Sequence, residues 1–153
     1  MATTVERVIL LQTVDVFAEV PTEQLAALAA IAREVTLPPE TCIYKEAGVS
    51  DAMYIVLSGR VRLARGGNEV SVAERDVAFG TWALFDDELR MVSATTLEET
   101  RLLRIDKEDF FELLADDTEV TRAIFRAIVH RLRDLATKVA IGRAGGRLTP
   151  VHD

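Results

Sequence analysis

The residue types that could do chemistry concentrate between Phe79 and Thr95, in the stretch FGTWALFDDELRMVSAT. A glycine, a short run of helical character, an acidic loop and an arginine entering a strand follow one another there. Gly80 lacks a Cβ, so backbone amides beside it can approach an anion, and the start of a short helix adds its dipole. Arg90, ten residues on, can fold back and set a planar guanidinium fork on the same anion. That chemistry is phosphate binding. The same residues also fit a plain hairpin crossing, with Arg90 on the surface paired to Asp86, Asp87 or Glu88. One glycine and one arginine by themselves favour this second reading.

The elements that must position this stretch are short strands. From Thr41 to Ile105, runs at Cys42 to Tyr44, Met53 to Leu57, Val61 to Ala64, Glu69 to Val72, Met91 to Thr96 and Thr100 to Ile105 are punctuated by Gly48, Gly59 and the trio Gly66, Gly67, Asn68. Glycines supply the positive φ that tight hairpins need, so the block predicts one antiparallel roll or barrel. Helices flank it. Val5, Val8, Ile9 and Leu11 recur at helical spacing up to a break at Asp15. A second stretch, from Thr22 to Arg33, sets Leu25, Leu28, Ala29 and Ala32 on one face behind Pro21, with Pro38 and Pro39 barring its continuation. A helix from Lys107 to Ala115, capped by Asp106, precedes a long one from about Thr118 to Val139. There Val120, Ile124, Ile128, Leu132, Leu135 and Val139 form an apolar stripe that Phe125 and Val129 widen. A stripe so wide suits packing on the domain itself, covering a pocket or pairing with another helix, and Ile124, Ile128 and Leu132 are expected to be buried against either the roll or a second copy. Gly142, Gly145 and Gly146 should end the periodicity, leaving residues 140–153 as a basic tail.

Composition narrows the function classes. The chain has 153 residues, 49% hydrophobic and 28% charged, which suits one ordinary globular domain. No apolar run is long enough to span a bilayer and no secretory signal is evident, so a cytoplasmic place is expected. Cys42 is alone, cannot form an internal disulfide and reads as a buried strand residue. Residues 1–121 hold 11 Lys and Arg against 23 Asp and Glu, whereas residues 122–153 hold 7 against 2. A basic end fits an anionic partner, or more simply a solvated helix face.

The segment from about Asp15 to Leu135 resembles the cyclic nucleotide-binding domain family, of the bacterial catabolite activator and cyclic-AMP-dependent kinase regulatory-subunit type. The resemblance rests on Val16 and Phe17 before a helix, Gly48 ahead of Asp51 to Tyr54, the LSGRV segment from Leu57 to Val61, the stretch around Gly80 and Arg90, and LLRIDKEDFF from Leu102 to Phe111. It implies a mainly β fold with flanking helices, that is, an α+β antiparallel double-stranded β-roll of jelly-roll type. Helices lie at its N-terminus and a long C-terminal helix lids the pocket. In domain terms it implies an N-terminal helix over 1–14, the domain proper over 15–139 with its roll at about 41–105 and lid helix at about 118–139, and the tail. Gly80 matches the glycine of the family's phosphate-binding cassette, Ala83 and Leu84 its short helix, and Arg90 the arginine that grips the cyclic phosphate. Met91 and Val92 would offer only backbone amides, and Ile124 and Ile128 belong to the lid. Thr81, followed by Trp82, stands where the family keeps a glutamate for the ribose 2'-hydroxyl, and Leu89 where a proline precedes the arginine. The cassette is therefore degenerate. Losing a charge-assisted hydrogen bond costs about 1.5 to 3 kcal/mol, or about one to two decades of affinity.

The function implied is a non-catalytic sensory module that binds cyclic AMP, cyclic GMP or a related phosphate and relays it by movement of the lid, with no cofactor. The other reading keeps the roll without the nucleotide, as a protein-interaction module within a larger transporter or signalling protein. A metal-dependent roll enzyme needs about three inward ligands, but the histidines are His130, on the long helix, and His152, in the tail. No DNA-binding unit is expected in the residues after Val139, while a protein partner or a second copy meeting the C-terminal helix is.

Overall fold

The computed structural model describes residues 1–145. Helix α1, Thr4–Gln12, is fixed at its start by a reciprocal capping box between Thr3 and Glu6. A 3-10 turn over Asp15–Phe17 follows, then α2, Thr22–Ile31, which starts behind Pro21 and buries Leu25, Leu28 and Ala29. The chain leaves the helix at Ala32, in extended conformation, and enters β1, Arg33–Leu37. The sequence pattern predicts helix as far as Arg33, two residues beyond its observed end. The remaining strands are β2, Cys42–Tyr44, β3, Ala52–Ser58, β4, Val61–Arg65, β5, Asn68–Ala73, β6, Ala78–Phe79, β7, Ser93–Thr96, and β8, Thr100–Asp106. A 3-10 helix, Thr81–Leu84, sits between β6 and β7, and α3, Lys107–Asp116, and α4, Thr118–Gly145, end the described chain.

The strands form two antiparallel four-stranded sheets, ordered β1-β8-β3-β6 and β2-β7-β4-β5, and this is the expected β-roll. Strand β3 is buried on both faces, so its alternate residues serve two cores. Met53 and Ile55 join Leu11, Phe17, Leu25, Leu28, Leu103, Ile105 and Phe110 beneath the helices. Tyr54 and Val56 turn the other way, into the roll, with Val61, Phe79, Ala94 and Leu102. At the β3–β4 turn Gly59 has φ +94°, and a Cβ there would lie 2.6 Å from the carbonyl of Glu99, so the turn admits only glycine.

Three expectations change. Cys42 is exposed, because β2 is a three-residue edge strand whose register shifts between Cys42 and Tyr44; such a bulge breaks the alternation that would have turned it inward. Asp106 stands at the N-cap of α3 but makes no side-chain cap, its carboxylate being held instead by Arg104 at 2.6 Å and Arg33 at 2.6 Å. Along α4, Val120, Ala123, Ile124 and Ala127 are buried and Ile128 is half-buried, but Leu132 is 61% exposed. The domain body ends near Ile128 and the helix continues past it. It also passes through Gly142 to Gly145, since one interior glycine costs a helix only about 1 kcal/mol. Of the expected tail, residues 146–153 lie outside the described residues.

Candidate functional site

The cassette begins where β6 ends. Gly80 adopts a left-handed conformation, φ 69° and ψ 21°, and so turns the chain from the strand into the Thr81–Leu84 helix. The first hydrogen bond of that helix runs from the Ala83 N–H to the Gly80 carbonyl, which leaves the Thr81 and Trp82 amides free of helical partners. Ala83 and Leu84 are buried and fix the turn to the core. The acidic loop that follows is latched to α3, because the Lys107 ammonium reaches Asp87 at 2.6 Å.

Arg90 does not pair with that loop. Its backbone is clamped on both sides by the preceding turn: Ala47 N–H donates to the Arg90 carbonyl at 2.8 Å, and Arg90 N–H to the Gly48 carbonyl at 2.9 Å. The side chain then runs into the roll and is only 4% exposed. One terminal nitrogen, Nη2, donates to the Ala52 carbonyl at 2.7 Å and lies 3.5 Å from Asp51. The guanidinium stacks 3.8 Å above the Tyr44 ring, while Nη1 lies against Gly80, 2.7 Å from where a Cβ would be. Any side chain at position 80 would therefore displace the arginine. Nε is buried without a hydrogen-bond partner, and an unsatisfied buried donor carries a desolvation penalty of about 1 to 3 kcal/mol.

The surroundings of Arg90 are aromatic and acidic in turn. Tyr44, Tyr54 and Phe79 pack together, the last two stacked with ring centroids 5.2 Å apart. Burial pushes the Tyr44 phenol up to about 12 against the opposing charge of Arg90, and raises that of Tyr54 against Arg104. Arg104 donates to the Tyr54 hydroxyl at 3.0 Å and lies 3.8 Å from Asp51, which thus stands between two arginines. Burial alone would raise the Asp106 carboxyl, yet hydrogen bonds from Arg104 and Arg33 hold it below the ordinary aspartate range.

The structure sets Arg90 against Gly80, whose carbonyl accepts from the Ala83 amide. Trp82 is 65% exposed and Met91 69% exposed, both outside the roll, and Val92 is half-buried. Thr81 and Trp82 line an outer groove of about 690 Å³ with Val77, Ile128 and Leu132, and Arg90 does not contribute to it. Helix α4, the expected lid, borders the outer side of this turn through Ile128, whereas Ile124 belongs to the helical core. Sequence reasoning missed Tyr44, Ala52 and Arg104, and the salt bridge from Asp51. Alternation could have placed Tyr44 and Tyr54 on the inner face. Nothing local announces Asp51 as the arginine's partner. Among the described residues no group of three or more His, Cys, Asp or Glu is poised for a metal, and no helix is long and apolar enough to cross a membrane.

Comparison with known proteins gives a consistent result. The model of a family described as "Cyclic nucleotide-binding domain" matches residues 34–117. A CRP-like cAMP-activated global transcriptional regulator of Mycobacterium tuberculosis is 28% identical over 129 residues, 81% of this chain and 58% of that protein. The cyclic AMP receptor protein of Thermus thermophilus is 33% identical over 97 residues, 60% of this chain and 45% of its own length. Among solved structures, the N-terminal domain of a transcriptional regulator from Streptomyces coelicolor superposes with a TM-score of 0.74 at 31% identity, covering 85% of this chain and 94% of that one. The chain thus spans about half the length of the two regulators.

Proposed function

We propose, from the premise that this chain belongs to the cyclic nucleotide-binding domain family, that it is a regulatory rather than catalytic domain of the cytoplasm. In this reading Arg90 and the Gly80 turn hold the phosphate of a cyclic nucleotide, and α4 passes the occupancy on. One observation carries the reading: a guanidinium 4% exposed lies against Gly80 with its Nε unpartnered. A phosphate oxygen would satisfy that donor and form a charge-assisted hydrogen bond, which is stronger than a neutral one. Asp51 and the Ala52 carbonyl engage Nη2 and Nη1 faces Gly80, so a phosphate held by the fork would meet the chain where the Thr81–Leu84 helix begins. Thr81, at the place of the family's glutamate, gives little discrimination at the ribose.

The relay runs through α4, whose first half is anchored in the helical core. On another face of α4, Phe125, Val129, Leu132, Ala136 and Val139 follow at steps of 4, 3, 4 and 3, the spacing of a helix-pairing seam. Phe125 is 71% exposed, and a second copy of the helix is the partner that seam fits. Ligand moves this equilibrium only by its differential affinity for the two helix positions.

The test is titration calorimetry with cyclic AMP and cyclic GMP on the wild type, Arg90→Ala and Thr81→Glu, with circular dichroism confirming that each is folded. Arg90→Ala should abolish binding and Thr81→Glu strengthen it by about ten- to a hundredfold. If a folded wild type and Thr81→Glu both fail to bind either nucleotide, the proposal is wrong.

A further inference from the structure

A groove of about 720 Å³ lies on a different flank, between the Val49–Asp51 turn, the acidic loop and the first turn of α3. Its wall is mostly apolar, and three of the side chains that form it, Val49, Leu89 and Phe111, are 76%, 55% and 47% exposed. Five carboxylates rim it, those of Asp51, Asp87, Asp106, Glu108 and Asp109, against two cations, Arg104 and Lys107. Both cations are already spent within the chain, Arg104 on Asp106 and Asp51, Lys107 on Asp87. Among the described residues Glu108 and Asp109 enter no ion pair. The groove therefore combines solvent-exposed apolar area with negative charge that the chain itself leaves unanswered.

We propose that this groove is a docking site for a segment of another protein in which apolar and cationic side chains alternate. Apolar contact with Val49, Leu89 and Phe111 supplies the area removed from water, and the carboxylates select and steer the cations. Nucleic acid and anionic lipid are repelled here by the same charges. The cationic, apolar face of α4 from a second copy is the competing occupant. The groove borders the proposed nucleotide site through Asp51, which lies 3.5 Å from Arg90. Glu108, Asp109 and Phe111 form no hydrogen bond or ion pair with Arg90, so loss of peptide binding and loss of nucleotide binding are separable.

The probe is a fluorescein-labelled Lys-Leu-Lys-Leu-Lys-Leu peptide followed by anisotropy, with Glu-Leu-Glu-Leu-Glu-Leu as its control. The wild type should bind the first and not the second, more weakly as salt rises. The pair Glu108→Lys and Asp109→Lys should weaken binding at least tenfold, whereas Glu74→Lys with Glu99→Lys, an equal change in charge elsewhere, should alter it less than twofold. Phe111→Ala reads the same groove through its apolar wall and should weaken binding several-fold even if the charge-reversed pair fails to fold. No binding by the wild type, or equal loss from both charge reversals, overturns the proposal. It also falls if the wild type sediments as an oligomer that Glu108→Lys returns to monomers, because the occupant is then a second copy.

Discussion

Two aromatic trios lie on either side of strand β3 and differ in what borders them. Phe17, Phe85 and Phe110 meet beneath the helices with ring centroids 5.5 to 6.5 Å apart, surrounded by Leu11, Leu25 and Leu84. Tyr44, Tyr54 and Phe79 meet inside the roll at 5.2 to 6.2 Å, but Arg90 lies over Tyr44 and Arg104 over Tyr54. The first arrangement removes apolar area from water with nothing polar to satisfy. In the second, two guanidinium groups are desolvated, and for Arg90 the contacts of the chain leave one donor unmet. Under the proposed function the division separates stability from binding: the helical side holds the fold while the roll side keeps a costly cation in place for an anion.

The largest effect should come from breaking the apolar trio. Phe110 is fully buried, and truncating such a ring costs about 3 to 5 kcal/mol in lost transfer and residual cavity. Phe110→Ala should shift the denaturation midpoint accordingly, with the slope of the transition unchanged. A loss below about 1 kcal/mol would mean that the helical core collapses around the gap and that the division drawn above is wrong.

Much of the roll is legible in the sequence because its turns are local. The run Leu57 to Val61 gives strand, glycine, strand, and the family resemblance singles out Gly80 and Arg90, which the structure sets side by side. What escapes is set by distant partners. Strand β1 follows α2 without a turn residue between them, so Ala32 and Arg33 read as more helix, and only pairing with β8 makes Arg33–Leu37 a strand. Asp106 looks like a cap until Arg104, two residues earlier on the same strand, and Arg33 claim its carboxylate. Leu132 belongs to an unbroken apolar stripe, yet it borders an open groove with Thr81 and Trp82 instead of packing into the core. Apolar periodicity gives the face of a helix and says nothing about how far along its length a neighbour extends.

Only the charged trio should respond to alkaline pH. The Tyr44 phenol, pushed up to about 12 by burial against the opposing Arg90 charge, stays protonated in the folded state where an unfolded tyrosine, near pH 10, does not. Its folded value lies above its unfolded one, so its contribution is fully present below about pH 10 and is lost as pH rises through about 12. Between those limits the wild type should lose on the order of 2 kcal/mol relative to Tyr44→Phe, read from urea denaturation at matched pH values. Parallel curves for the two proteins would show that the ring is not held in a dry site. Phe17, Phe85 and Phe110 have nothing to titrate.

The smallest effect tests whether the charged side also stores strain in its backbone. Ala47 has φ +65°, a left-handed conformation in which a Cβ costs about 1 to 2 kcal/mol. The neighbouring Gly48 does not take that conformation; its missing side chain is needed instead because a Cβ there would lie 2.8 Å from the Lys45 carbonyl. The turn is held in place because Ala47 N–H and the Gly48 carbonyl both bond the backbone of Arg90. Ala47→Gly removes the steric penalty but gives the unfolded chain more freedom, a loss of about 0.4 to 1 kcal/mol. The two terms leave a net gain of between about 0 and 1.6 kcal/mol, which should raise the denaturation midpoint without altering the hydrogen bonds that hold Arg90. A lower midpoint would mean that the turn is not left-handed at position 47, and with it would go the clamp that aims the arginine into the roll.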